Sequence, residues 1–162
     1  MPPNRLSRSL AVLERLPAPL RTRLRSLALG RLVPLVGTAG LAVEHLDGGR
    51  AVISVANRRR VRNHIGGVHA AAMALLAETA TGFVVGMNVP DDRVPVIKTL
   101  RVEFRRRARG GLRAEATLSE EQRRLILGTE KGETMVPVRV TDADGNEPIE
   151  CEMTWAWTPR RR

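Results

Sequence analysis

Asn63-His64-Ile65-Gly66-Gly67-Val68-His69-Ala70-Ala71 runs directly into Ala72-Met73-Ala74-Leu75-Leu76-Ala77-Glu78, and the reading of this stretch decides the fold. An Asn, two adjacent glycines and a His stand at the mouth of a helix predicted over residues 67–85. Its interior is almost wholly Ala, Leu, Met and Val. A helix that is apolar nearly all round has to be covered on most sides. One carboxylate, Glu78, lies in its middle, and burying a carboxylate is expensive unless something uses it. Glu78 is therefore the first candidate for chemistry.

On either side of the helix the pattern changes to strands. Upstream, residues 38–46 and 50–56 flank Asp47-Gly48-Gly49, a hairpin-type turn, and a loop over 57–66 leads to the helix. Downstream, beyond a turn at Pro90-Asp91-Asp92, a strand is expected over 94–108. It places Val96, Leu100, Val102 and Phe104 on one face and Thr99, Arg101, Glu103 and Arg105 on the other. A strand over 112–118 follows Gly110-Gly111. The charged residues 119–131 read as a loop with a helical turn or as an extended strand end. Residues 132–141 form a strand in which Pro137 suggests an edge position or a bulge. After Asp142-Ala143-Asp144-Gly145, the residues Ile149, Cys151, Met153, Trp155 and Trp157 alternate down a last strand.

Single-face alternation predicts an antiparallel sheet with one covered face. Wrapping that sheet around the apolar helix satisfies both elements, so the expected class is α+β with the hotdog architecture. Residues 4–36 read as two short helices broken at Pro17-Ala18-Pro19, with Leu10, Leu13 and Leu16 in the first and Leu20, Leu24, Leu27 and Leu32 in the second. Those leucines are expected to pack on the domain and the arginines to face water. The domain plan is a basic amphipathic helical extension over 1–36, a hotdog domain over 37–158, and a basic, frayed tail over 159–162.

At 162 residues the chain is long enough for one domain with a real core. Its formal charge of +10, from 27 Lys+Arg against 17 Asp+Glu, favours anionic partners. With two Phe, two Trp and no Tyr there is little on which single-stranded bases could stack, so nucleic acid is not the expected partner. A basic protein that binds anions or a membrane surface through its first helices is the competing reading. No segment reaches the ~18 apolar residues of a membrane span, and no secretory leader is recognisable, so a cytoplasmic location without stable membrane insertion is expected. The lone Cys151 excludes an intramolecular disulfide and a cysteine metal cluster. Its alternating apolar surroundings fit a buried thiol better than a nucleophile. Three His and Glu78 would need a loop to gather them before they could hold a metal, and no metal or organic cofactor is expected.

With the element order established, residues 63–82 resemble the signature of hotdog acyl-CoA thioesterases, in particular the phenylacetate-pathway-like group and a bacterial single-hotdog branch with a basic N-terminal helical segment. The pattern there is Asn-x-x-Gly-x-x-His-Gly-Gly with an acid nine positions after the His. Asn63, Gly66, His69 and Glu78 fall in register, and the likeness in element order covers residues 37–158. The chain departs from the pattern at Ala70-Ala71, where the family has its glycine pair, and in carrying Glu in place of the Asp of many relatives.

The resemblance implies hydrolysis of aryl or medium-chain acyl-CoA to free acid and CoA. It assigns Ala70 N–H to the thioester oxygen, Glu78 to base or nucleophile, and Asn63 to the loop or the water; His69 is expected to fix the loop through a backbone hydrogen bond rather than to transfer protons. A helix N-terminus suits a developing oxyanion. Ala70 and Glu78 are eight residues apart, ~12 Å along one helix, so they cannot act on one carbonyl within one chain. If both act, the unit is a homodimer or a dimer of dimers. Gly66, Gly67 and Ala71 then border the substrate. Thr81, with Thr79 similarly near, is a candidate to hold the water. Arg58 and Arg105, from the basic runs 58–60 and 105–107, are candidate contacts for the CoA phosphates, with solvated strand ends as the plain alternative. A non-catalytic acyl-CoA- or lipid-binding hotdog, blunted at Ala70-Ala71, is the nearest rival.

Overall fold

The computed structural model describes residues 4–160; Arg161 and Arg162 of the expected tail lie outside the described residues. Three helices lead the chain: α1 (Arg5–Ala11), α2 (Ala18–Leu32) and α3 (Pro34–Ala39). They are followed by strands β1 (Ala42–Leu46) and β2 (Arg50–Val55), the long helix α4 (Ala70–Gly86), β3 (Arg93–Phe104) and β4 (Leu112–Thr117). Helix α5 (Glu120–Gly128) and strands β5 (Gly132–Met135), β6 (Val138–Asp142) and β7 (Ile149–Pro159) complete the order.

Every strand pairing is antiparallel. One sheet runs β1-β2-β4-β6 and the other β3-β7-β5. Pro137 is the joint between them. Val136 N–H donates to Met153 O at 2.8 Å, whereas Pro137 O accepts from Thr117 N–H at 3.2 Å, so one stretch of chain changes partner where proline removes a donor. Both sheets pack on α4, whose Leu76, Ala77, Ala80, Val84 and Val85 are fully buried. This is the hotdog arrangement. Burying each large aliphatic side chain contributes about 1.5–3 kcal/mol.

Several expectations need correction. The leading segment holds a third helix, so residues 38–39 are helical and β1 begins only at Ala42. Pro34 starts α3, and Gly40 ends it with φ +70, the left-handed conformation that favours glycine. Leu10 and Leu29 are buried, but Leu20, Leu27 and Leu32 are exposed. The inward side of α2 carries polar groups instead, because it lies along the free edge of β1. Ser26 Oγ accepts from Val43 N–H at 2.8 Å, and the buried Arg25 donates to Glu44 O at 3.2 Å while pairing with Glu14. An edge covered in this way cannot recruit another strand.

Residues 119–131 contain a full helix. Ser119 and Gln122 close a reciprocal capping box at its start, a signal present in the sequence as Ser-x-x-Gln. Strand β3 stops at Phe104 because the N–H groups of Arg105 and Arg106 both turn to Pro148 O. Its expected core face is not buried either: Val96, Leu100 and Phe104 are 45%, 48% and 54% exposed. A register shift between Ile97 and Thr99 alters the phase, and β3 has only β7 beside it. The end of the chain is held rather than frayed at Arg160, whose N–H donates to Asp92 O at 2.8 Å.

Candidate active site

The loop before α4 is built by two asparagines. Asn63 Oδ1 accepts from Ile65 N–H at 3.1 Å and Gly67 N–H at 3.0 Å, and Asn63 N–H donates to Gly67 O at 2.9 Å. Asn57 donates to Gly66 O at 3.0 Å and accepts from the Arg62 guanidinium at 2.9 Å. Gly66 takes φ +81 at the turn, which explains the glycine there. Sequence reasoning missed Asn57, although an Asn at the start of a loop is an ordinary turn-forming signal. Because Val68 bridges to Arg62 and His69 N–H donates to Val61 O, residues 68–69 are extended. The helix therefore begins at Ala70 rather than at the expected Gly67.

His69 is the N-cap. Its Nδ1 accepts from Ala71 N–H at 3.0 Å, so the ring is used to start the helix, as a loop-fixing role requires. That leaves the Ala70 N–H, for which no acceptor lies among the described residues. Ala70 is exposed, and its amide is an open donor at the positive end of a 17-residue helix.

Glu78 lies on the one stripe of α4 that the sheets leave incompletely covered, with Ala71, Ala74 and Leu75. It is half-buried, and its nearest polar partner is Thr79, whose Oγ1 donates at 3.4 Å. No cation pairs with it among the described residues. Burial raises its pKa above the usual carboxylate value, only partly offset by Thr79. A carboxylate left unpaired in this way is a stronger base than a solvated one.

Around the helix start lies a cavity of about 310 Å³, lined by the N-cap His69, by Ala71, Ala72 and Leu75 of α4, by Leu35 and Thr38 of α3, and by Arg60 and Arg62. Glu78 is not among its lining residues. The two halves of the expected chemistry therefore remain apart within one chain, at ~12 Å along the continuous helix. Sequence reasoning did not place α3 or Arg60 here, since a six-residue helix far upstream gives no signal of where it docks.

Other candidates are placed elsewhere. Thr81 is fully buried and accepts from Trp155 Nε1 at 2.9 Å while donating to the helix backbone, so its hydroxyl pins β7 to α4. Arg105 is held between Glu103 and Glu150, both at 2.6 Å, and its charge is matched locally. Arg58 has no carboxylate within ion-pair distance among the described residues and borders a separate cleft. His45 Nε2 lies 2.7 Å from Asp47 Oδ2. Burial and the charge of Glu150 push the Cys151 thiol up to about 11, which keeps it protonated at neutral pH.

Comparison with known proteins agrees with this architecture. A Pseudomonas aeruginosa protein of unknown function, described as a probable thioesterase, is 27% identical with a TM-score of 0.75, over 90% of this chain and 97% of that one. A structural-genomics protein is 25% identical with the same TM-score of 0.75, over 96% and 99%. A Haemophilus influenzae thioesterase shares the fold at 14% identity, TM-score 0.66, over 81% and 88%. No curated protein matches the chain in sequence. Residues 21–157 match the family model DUF4442, a domain of unknown function. With most of its length under that model, the chain belongs to the DUF4442 family.

Proposed function

We propose that the protein is a thioesterase that hydrolyses acyl-CoA at a site shared across a homodimer, within the cytoplasm. The observation that carries this reading is the pairing of chemistries on α4: an unsatisfied Ala70 N–H at its start, and a half-buried, unpaired Glu78 two turns on. The likeness to proteins described as thioesterases supports the same reaction. The thioester oxygen would accept from Ala70 N–H of one subunit. Glu78 of the other would take a proton from water as it adds to the carbonyl carbon, or would add itself to give an anhydride that water then opens. On the base path, collapse of the adduct breaks the C–S bond and the thiol leaves with the proton that Glu78 took from water. On the nucleophile path, CoA leaves as thiolate when the anhydride forms and is protonated from the water that then opens the anhydride and regenerates the Glu78 carboxylate.

A dimer is supported by the surface of the single chain. Ile97, Leu100 and Phe104 are exposed on one face of β3, an outer strand of its sheet, opposite Trp155, Met153 and Ile149 of β7, and exposed apolar surface of this kind is an interaction site. The 310 Å³ cavity, floored by Ala72 and Leu75, suits an aryl or medium-length acyl group. The methyl of Ala71 borders it where the thioesterase signature that the sequence resembles has glycine, which limits the bulk accepted next to the carbonyl.

The test is a panel of acyl-CoA substrates assayed by thiol release with wild type and Glu78→Gln. A loss above about 100-fold, close to 3 kcal/mol of transition-state stabilisation, is expected in a variant that remains folded. Tight acyl-CoA binding with turnover no faster than in Glu78→Gln would establish instead a non-catalytic binding protein.

A further inference from the structure

A second, larger cleft of about 720 Å³ opens between α2, α3 and the strand β1–β2 edge. Its floor includes Leu41, Ala42 and Ala56, and its rim carries Arg23, Arg31 and Arg58. All three arginines are exposed, and among the described residues none has a carboxylate within ion-pair distance. No Asp or Glu lines the cleft. Arg23 and Arg31 are eight residues apart on one helix, ~12 Å along its axis, with Arg58 facing them from the loop after β2. The charges are thus spread along the cleft rather than gathered at one point.

The walls are rigid where they meet. At the α2–α3 crossing, a Cβ on Gly37 would stand 2.8 Å from Gly30 O, and one on Gly30 would stand 3.0 Å from Gly37 Cα. The two backbones touch there, and only glycine permits it. The cleft also abuts the cavity at the start of α4. Gly40 lines the larger space and Arg60 the smaller one, and the Arg60 guanidinium would stand 3.2 Å from a Cβ on Gly40. Helix α3 is therefore a partition with one space on each side.

We infer that this cleft receives the nucleotide end of free CoA, with its phosphates on Arg23, Arg31 and Arg58, and that the pantetheine arm passes the Gly40–Arg60 margin toward Ala70. The inference rests on the thioesterase reading and deepens it by assigning the place that holds the nucleotide of soluble CoA, which a carrier protein's phosphopantetheine lacks. A volume of 720 Å³ is in the range that encloses a ligand of nucleotide size. Guanidiniums without local counter-charges match phosphate geometry. Arg105, by contrast, is already neutralised by two carboxylates.

Calorimetric titration of the full chain with CoA, 3′-dephospho-CoA and pantetheine tests the assignment. CoA should bind at least about tenfold more tightly than pantetheine, with affinity falling as salt rises. Arg23→Gln/Arg31→Gln should weaken CoA by about tenfold or more and leave pantetheine unchanged. In the hydrolytic assay it should raise KM with kcat unaffected. Arg124→Gln/Lys131→Gln removes two exposed charges outside the cleft and should have no such effect. Equal affinity for CoA and pantetheine, or equal losses in the two double variants, would overturn the assignment. Arginine-dependent CoA binding without any hydrolysis would uphold the cleft and remove the thioesterase reading, so the two fail separately.

Discussion

The shared site can be tested by dividing it between two inactive variants. Ala70→Pro removes the open N–H and little else. Proline is favoured at the first position of a helix, the Ala70 N–H bonds to nothing among the described residues, and His69 before it already has φ −65 and ψ 144, the extended conformation that a following proline requires. Glu78→Gln removes the base and keeps the shape. Each variant alone should lose about 100-fold or more of its activity, the range for removing an oxyanion donor or a general base. Because ~12 Å of helix separates the two groups, the proposed site draws Ala70 from one chain and Glu78 from the other. A hybrid dimer then holds one intact site and one that lacks both groups. Unfolding and refolding a one-to-one mixture makes about half the dimers hybrid, each with one live site of two. Thiol release should return to about a quarter of the wild-type rate, far above either parent. A mixture no more active than its parents, with hybrid dimers demonstrated by mass spectrometry, would refute the shared site.

Four further outcomes follow from the geometry. The acid limb of kcat/KM should have its midpoint above 4.5, the ordinary glutamate value, because Glu78 must lose its proton to act and burial opposes this. The same raised pKa means that the carboxyl favours folding below its unfolded value and opposes it as pH rises through its folded one, so Glu78→Gln should gain in Tm over wild type with rising pH and show no gain in acid. Gly82→Ala would place a Cβ 2.6 Å from the Trp155 ring and push the indole off Thr81, costing about 1–3 kcal/mol and several degrees in Tm; an unchanged melting curve would contradict the packing. Ile97→Glu/Leu100→Glu should leave a folded monomer by sedimentation equilibrium, without hydrolysis; a variant that still dimerises would remove β3 from the interface.

What could be read from the sequence was what one element decides for itself. Alternation in β7 and the apolar run of α4 each fix a buried face locally, and together they fixed the hotdog wrap. Helix α5 was equally local, in the Ser119/Gln122 box, and its charged composition concealed it. Strand β3 differs in kind. Its alternation is genuine, but a register shift at Ile97/Thr99 and a place at the end of the sheet determine what each side chain meets, and neither is encoded within the strand. The same holds for Thr81, whose hydroxyl answers Trp155 from 74 positions away. Of the expected cationic contacts, Arg105 was lost to Glu150 across the β3–β7 pair, whereas Arg58 kept its charge open beside two arginines of α2 that no linear motif connects to it. Asn63, His69 and Glu78 were legible because a spacing along the chain is a spacing along one loop and one helix. That rigid spacing also keeps Ala70 and Glu78 apart, so in the proposed reaction the residues most readable from sequence are the ones that would need a second chain to meet.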